Sequence, residues 1–220
     1  MDKLAIIMCT WKRINLLSNT INMLENQNEQ NFSLFIWNNN PQITNQINDI
    51  ISKSNLNIKV HNSNENVGGI GRFYYAKMIK DTYDKILFID DDQKFSNKFI
   101  EQMLSYYDER SIISWWGWKI KDTYFNRERK FSLENVDYCG TGGMILSSKI
   151  FDNNIIFEIP KKYQFIEDLW LSIIAKYELN YNLKGCKADI EIIIDGKDQY
   201  VNLKKLKEEM YIYFKKIYKI

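Results

Sequence analysis

The chain has 220 residues, 45% of them hydrophobic, enough for one substantial core. Only two prolines and nine glycines argue against a long disordered linker, and a net charge of +2 is too balanced to point to nucleic acid as a partner. Three scattered cysteines, Cys9, Cys139 and Cys186, form no CxxC pair, so neither a zinc site nor a disulfide framework is expected and a reducing compartment fits.

The first apolar run, Leu4 to Met8, is too short for a signal peptide and far short of the roughly 20 residues that span a bilayer. A cytoplasmic protein is expected. The run reads instead as a first strand. Leu34 to Trp37, the weaker Ile58 to Val60, and Ile86 to Ile89 follow as strands, and Ile112-Ile113 begins a fifth. Unbroken apolar runs mark strands buried on both faces. Between them, Leu16, Leu17, Thr20, Ile21 and Leu24, and then Ile43, Ile47, Ile50 and Ile51, recur at helical spacing. The alternation predicts an α/β fold with a mostly parallel central sheet flanked by helices.

Beyond residue 115 the regularity changes. Trp115-Trp116-Gly117-Trp118 leads into a polar stretch ending near Asn135, and Arg127 to Lys130 give it the profile of a functional loop, mobile without ligand. A strand is predicted after Gly142-Gly143, through Met144 to Leu146, and a helix over 167–177. From about Val201 to Ile220 an amphipathic helix turns Leu203, Leu206, Met210, Phe214 and Ile217 inward. Its lysines, Lys204, Lys205, Lys207, Lys215, Lys216 and Lys219, form either a solvated face or a weak contact with an anionic membrane surface. No internal repeat or domain boundary is visible, so one domain over 1–220 is expected.

The sharpest chemical signal is Asp90-Asp91-Asp92, directly after the fourth strand. Ligands of open parallel sheets bind at the carboxyl ends of strands. Adjacent carboxylates there repel one another unless a cation such as Mg²⁺ or Mn²⁺ offsets the cost; an acidic turn in water is the alternative. Gly68, Gly69 and Gly71 permit close approach of a phosphate or form an ordinary turn, and Arg72 pairs with a phosphate or lies on the surface. Asn38, Asn39 and Asn40 offer amides to a base edge or make a simple turn. Glu167-Asp168 opens a helix, as a general base or as acids favoured by the helix N-terminus. In an extended segment Trp116 and Trp118 share a face and Trp115 takes the other; each face is either core or a stacking wall for a sugar. His61, the only histidine, is remote in sequence from the triplet. Asp195 or Asp198 would add a carboxylate to a metal shell, or simply form a turn at Asp195-Gly196.

These motifs, in this order, resemble glycosyltransferase family 2 over roughly residues 3–190. The turn Cys9-Thr10-Trp11-Lys12-Arg13 is similar to the family's Thr-x-x-Arg nucleotide-binding turn. Trp37-Asn38-Asn39-Asn40 stands where the family usually has Asp-Asn and holds the base. Asn66 to Arg72 resembles its Asn-x-Gly-x-x-x-Arg segment, and Asp90 to Asp92 its DxD. Gly142-Gly143 matches the glycine pair near the donor sugar, and Glu167-Asp168 the Glu-Asp pair in which the aspartate is the base.

The resemblance implies a GT-A fold whose nucleotide-binding half ends near residue 100, with the acceptor-binding half and C-terminal helix beyond. It implies an inverting transfer from a nucleotide diphosphate sugar, UDP-linked by preference, to a hydroxyl of a glycan, protein or lipid-linked acceptor. Thr10, Arg13, Asn38, Asn39, Gly68, Gly69, Arg72, Asp90 and Asp91 would bind the nucleotide, and Asp90 and Asp92 the metal. Gly142, Gly143, Trp116 and Trp118 would meet the donor or acceptor sugar. Asp168, with Glu167, would be catalytic. A haloacid-dehalogenase-like phosphatase, a nucleotidyltransferase and a non-catalytic nucleotide-sugar binding module are the alternatives.

Overall fold

The computed structural model describes residues 3–196 and 200–219. Each of the first four apolar runs forms a strand: β1 (Leu4–Thr10), β2 (Phe32–Asn38), β3 (Ile58–Asn62) and β4 (Lys85–Ile89). They lie parallel in the order β3-β2-β1-β4. The helices α1 (Ile14–Glu25), α2 (Thr44–Ile51), α3 (Gly71–Ile79) and α4 (Phe99–Tyr106) connect and flank them.

The period-2 geometry of a strand explains why the runs are apolar throughout. Along β1, Leu4, Ile6 and Met8 share one buried layer with Leu17 and Leu24 of α1, Ile47 of α2 and Met103 of α4. Ala5 and Ile7 share the other with Phe73 of α3 and with Leu169 and Ile173 of α5 (Glu167–Tyr177). Burying both faces of one strand demands an apolar residue at every position.

The second half extends the sheet in mixed sense. β6 (Ser111–Ile120) lies antiparallel to β9 (Tyr138–Ser147), which lies antiparallel to β4. β10 (Asn182–Cys186) runs parallel to β6, and β8 (Ser132–Asn135) closes the edge. β5 (Gln93–Phe95) and β11 (Ile190–Ile192) pair separately. The strand expected after Gly142-Gly143 begins earlier, at Tyr138, and runs through both glycines. It sits between β4 and β6, pairing with β6 over 138–140 and 144–145 and with β4 over 144–147, and the register against β6 shifts around the two glycines.

The stretch 117–135 is not an unpaired loop. β7 (Arg127–Arg129) pairs with β6, β8 pairs with β10, and the Lys130 N–H donates to the Gly117 carbonyl at 2.9 Å. The basic run lies on ring faces: Arg127 is 4.5 Å from the Trp118 ring and Arg129 is 4.2 Å from that of Trp116. Stacked guanidinium groups meet aromatic faces while keeping their charge.

The C-terminal helix, α6 (Tyr200–Tyr218), packs Met210 and Phe214 inward as expected, but two positions differ. Ile217 is 49% exposed, and Lys207, assigned to the solvated face, is 5% exposed. Among the described residues no helix is long and apolar enough to cross a membrane.

Candidate active site

The carboxyl ends of β1 and β4, the turn before α3, the start of α5 and one face of α6 converge on a cavity of about 280 Å³. Its walls include Thr10, Arg13, Asn39, Gly68, Gly69, Arg72, Asp90, Asp91, Asp92, Glu167 and Asp168. Segments far apart in sequence meet here because parallel strands deliver all their C-terminal turns to one edge.

Internal ion pairs organise the acidic triplet. Arg72 Nη1 lies 2.9 Å from Asp90, and Arg13 lies 3.1 Å from Asp91, 3.2 Å from Asp92 and 3.0 Å from Asp195. Asp195 is thus drawn to the triplet's neighbourhood through Arg13; Asp198 lies outside the described residues. Burial raises the Asp91 carboxyl to about 6, against the opposing pull of Arg13. Burial and the Asp90 charge bring Asp92 to about 7. Such carboxylates gain from an added cation.

Among the described residues no group of three or more His, Cys, Asp or Glu side chains is arranged to hold a metal ion. The donor set nevertheless fits Mg²⁺ or Mn²⁺: Asp90 and Asp92 present hard oxygens to one cavity. Magnesium commonly takes one or two carboxylates and completes its shell with substrate phosphates and water. His61 lies on β3, stacked on Trp37 at 4.1 Å, and does not line the cavity.

Two glycines make room for the carboxylates. A Cβ on Gly69 would collide with the Glu167 carboxylate, and one on Gly142 with that of Asp90. Gly142 thus belongs to the triplet's surroundings. Gly143, at φ +80°, faces Ile190 instead.

Asn38 and Asn39 have different surroundings. Asn38 is fully buried: its amide N–H donates to Asn62 at 2.9 Å, and its carbonyl accepts the Asn40 N–H at 2.9 Å. It shapes the turn from below and does not line the cavity. Asn39 does, while its amide holds Gly68 and Val67 at 2.9 and 3.0 Å. Thr10 Oγ1 is buried there without a hydrogen-bond partner. A buried hydroxyl left without a partner is costly to the fold.

The acidic pair splits into two environments. Burial raises Glu167 to about 7, opposed by Arg72 at 3.8 Å. Burial would also raise Asp168, but Lys207 at 2.9 Å and the Tyr138 hydroxyl hold its carboxyl below the ordinary range. Neighbouring acids driven apart in this way are a common feature of catalytic sites. Trp116 and Trp118 stack at 5.8 Å and stand outside the cavity, opposite Gly140 and Tyr138 of β9. Trp115 is buried in the layer that Trp116 also packs against, with the two rings 4.6 Å apart; the alternation expected to separate them is broken where the register of β6 against β9 shifts between Ser114 and Trp116.

Sequence reasoning missed Lys207 and Tyr138. A signal existed for the first: Lys207 falls four residues after Leu203 and three before Met210, inside the apolar stripe of α6. A lysine there needs a buried partner. Nothing local marks Tyr138.

A sheet of this order, with an acidic triplet after β4 and an acidic pair opening α5 in one cavity, has the GT-A architecture of glycosyltransferases. The chain belongs to glycosyl transferase family 2, whose model matches residues 5–183. Its fold is similar to that of S. aureus TarS 1-349 in complex with UDP, at TM-score 0.63 and 19% identity, covering 90% of this chain and 62% of that one. The same TarS fragment in complex with UDP-GlcNAc is similar at TM-score 0.64 and 18% identity, over 89% and 60% of the two chains. A longer S. aureus TarS structure is similar at TM-score 0.61 and 20% identity, over 93% and 39%. This chain therefore spans about three fifths of the TarS fragment. No curated protein matches it by sequence.

Proposed function

We propose that this chain transfers a sugar from a UDP-sugar to a hydroxyl acceptor by a metal-dependent, inverting single displacement. The observation that carries the reading is the single cavity in which Thr10, Arg72, the acidic triplet and Asp168 meet. The UDP and UDP-GlcNAc bound by TarS support the choice of donor.

In this reading Thr10 and Asn39 contact the nucleoside, and Asn38 supports them by fixing the turn. Gly68 and Gly69 let backbone approach the ribose and phosphates, with Arg13, Arg72 and Asp91 around them. Asp90 and Asp92 hold Mn²⁺ or Mg²⁺. The metal, when bound, neutralises the diphosphate leaving group. Asp168 accepts the acceptor proton as the hydroxyl attacks the anomeric carbon, and Glu167 sets the charge beside Arg72. Gly142 borders the donor sugar, and Gly143, which faces Ile190, does not. Trp116 and Trp118 are left out of the acceptor site, because their ring faces are taken by each other and by Arg129 and Arg127.

Residues to about 100 form the nucleotide-binding half of one domain, and the rest the acceptor side. The acceptor is a glycan, a protein or a lipid-linked glycan. A cytoplasmic enzyme peripheral to a membrane accords with exposed Ile212, Tyr213 and Ile217 on α6 beside Lys216.

Calorimetry with UDP tests the reading. Wild type should bind UDP with Mn²⁺ and lose most of that affinity in EDTA, and Asp92→Asn should do the same without a change in fold. Equal affinity in all three conditions refutes the metal role. Binding without release of UDP from any UDP-sugar supports the non-catalytic alternative.

A further inference from the structure

Lys207 lies beyond the residues that the family model matches, yet it lines the cavity. Its ammonium donates to both Asp168 oxygens, at 3.1 and 2.9 Å, and to the Tyr138 oxygen at 3.0 Å. The Tyr138 hydroxyl in turn donates to Asp168 Oδ2. Among the described residues, the polar groups that also face this cluster include Tyr124, Arg127 of β7 and Glu167 of α5.

This arrangement is unsuited to proton transfer as it stands. Both oxygens of Asp168 accept from an ammonium, and one accepts from a phenol as well. A carboxylate so held has little drive to take a proton from an alcohol. An oxygen must first be released, and the release needs a competing anion for Lys207. A donor diphosphate in the same cavity is such an anion. Lysine suits an exchange of this kind, because it carries a point charge on a flexible four-carbon stem.

We propose that Lys207 is a positioning residue that changes partners: it holds Asp168 in the empty cavity and turns to the diphosphate of a bound donor, freeing Asp168 for the acceptor hydroxyl. Lys207 remains an ammonium throughout. The hydroxyl oxygen forms its bond to the anomeric carbon and its proton passes to Asp168. The bond from that carbon to the diphosphate breaks, and the electron pair leaves with the diphosphate. Charge on the diphosphate grows during this step, so the lysine contributes most in the transition state. Donor binding thereby switches on the base, which remains capped while the cavity is empty.

The inference rests on the cavity being a nucleotide-diphosphate site, and the test separates the two claims. UDP and uridine are titrated into wild type, Lys207→Met and the double variant Lys207→Met/Asp168→Asn in Mn²⁺ buffer. A charge-assisted phosphate contact predicts about a tenfold loss of UDP affinity relative to uridine in the single variant. The loss should persist in the double variant, where no unpaired carboxylate remains to repel the phosphates. Removing one member of a buried pair can unfold a protein, whereas removing both charges is better tolerated, so the double variant carries the test if the single one does not fold. An unchanged UDP-to-uridine ratio in the double variant overturns the exchange of partners and leaves Lys207 a structural partner of Asp168. Failure of wild type to bind UDP at all overturns the donor reading and this inference with it.

Discussion

Adding one methyl group at Gly142 tests how closely the sheet fits the acidic triplet. A Cβ there would overlap the Asp90 carboxylate and lie 2.6 Å from Gln93 Nε2, about 0.8 Å inside ordinary contact at 3.4 Å. The β9 backbone is anchored on either side of Gly142, at Gly140 against β6 and at Met144 against both β4 and β6, which limits its retreat. Asp90 is restrained too: Arg72 holds its carboxylate at 2.9 Å, and its N–H donates to Gln93 Oε1 at 2.9 Å. The side chains of Asp90 and Gln93 must therefore absorb the displacement. A misplacement of about 1 Å in a catalytic group can cost about 10²-fold in rate, and overpacking costs about 1–3 kcal/mol of stability. Gly142→Ala should thus fold with a lowered melting temperature and lose transfer by about two orders of magnitude. Calorimetric melting and the rate of UDP release from a UDP-sugar measure the two effects. Transfer within twofold of wild type would refute the argument that Gly142 is small for the sake of Asp90.

Asp168→Asn should slow transfer about 10²–10⁴-fold without lowering UDP affinity, as expected for a lost general base; if Glu167→Gln abolishes transfer while Asp168→Asn remains active, the roles within the pair are reversed. Thr10→Val replaces an orphaned hydroxyl with a methyl group, so it should weaken uridine and UDP alike while leaving the melting temperature unchanged or higher; unchanged nucleotide affinity removes Thr10 from the site. Glu167 also predicts a pH dependence of stability. Its carboxyl is raised from 4.5 to about 7 in the folded state, so its contribution is fully present below about 4.5 and is lost as pH rises through 7. Glu167→Gln should therefore show a shallower fall in ligand-free stability between about pH 5 and 7.5, by an amount on the order of 1–3 kcal/mol. Equal slopes would show that Glu167 is not the titrating group.

Much of the fold was legible because its cause is local. Two-faced burial writes an unbroken apolar run, and one-faced burial writes a helical stripe, so β1, β2, β4, α1 and α5 could be read from one window of sequence at a time. The acidic triplet was legible for a related reason: three adjacent carboxylates after a buried strand are costly without a purpose. The edge strands were not legible. β7 and β8 lie in a polar stretch with no apolar pattern, and they are strands because β6 and β10 present unpaired backbone groups to them.

The site divides in the same way. Its candidate residues stood out by type and order, but their roles depend on neighbours from distant segments. Asn38 and Asn39 are adjacent and chemically identical, and only packing turns one toward Asn62 and the other toward the cavity. Glu167 and Asp168 are adjacent acids driven in opposite directions, one by burial and the other by Lys207 from a helix 39 residues away. Sequence by itself determined which carboxylates, amides and glycines this protein has to work with, because residue type is a local property. Tertiary structure decided which of them face the cavity and in what charge state, because burial and Coulomb interaction depend on distance in space and not along the chain.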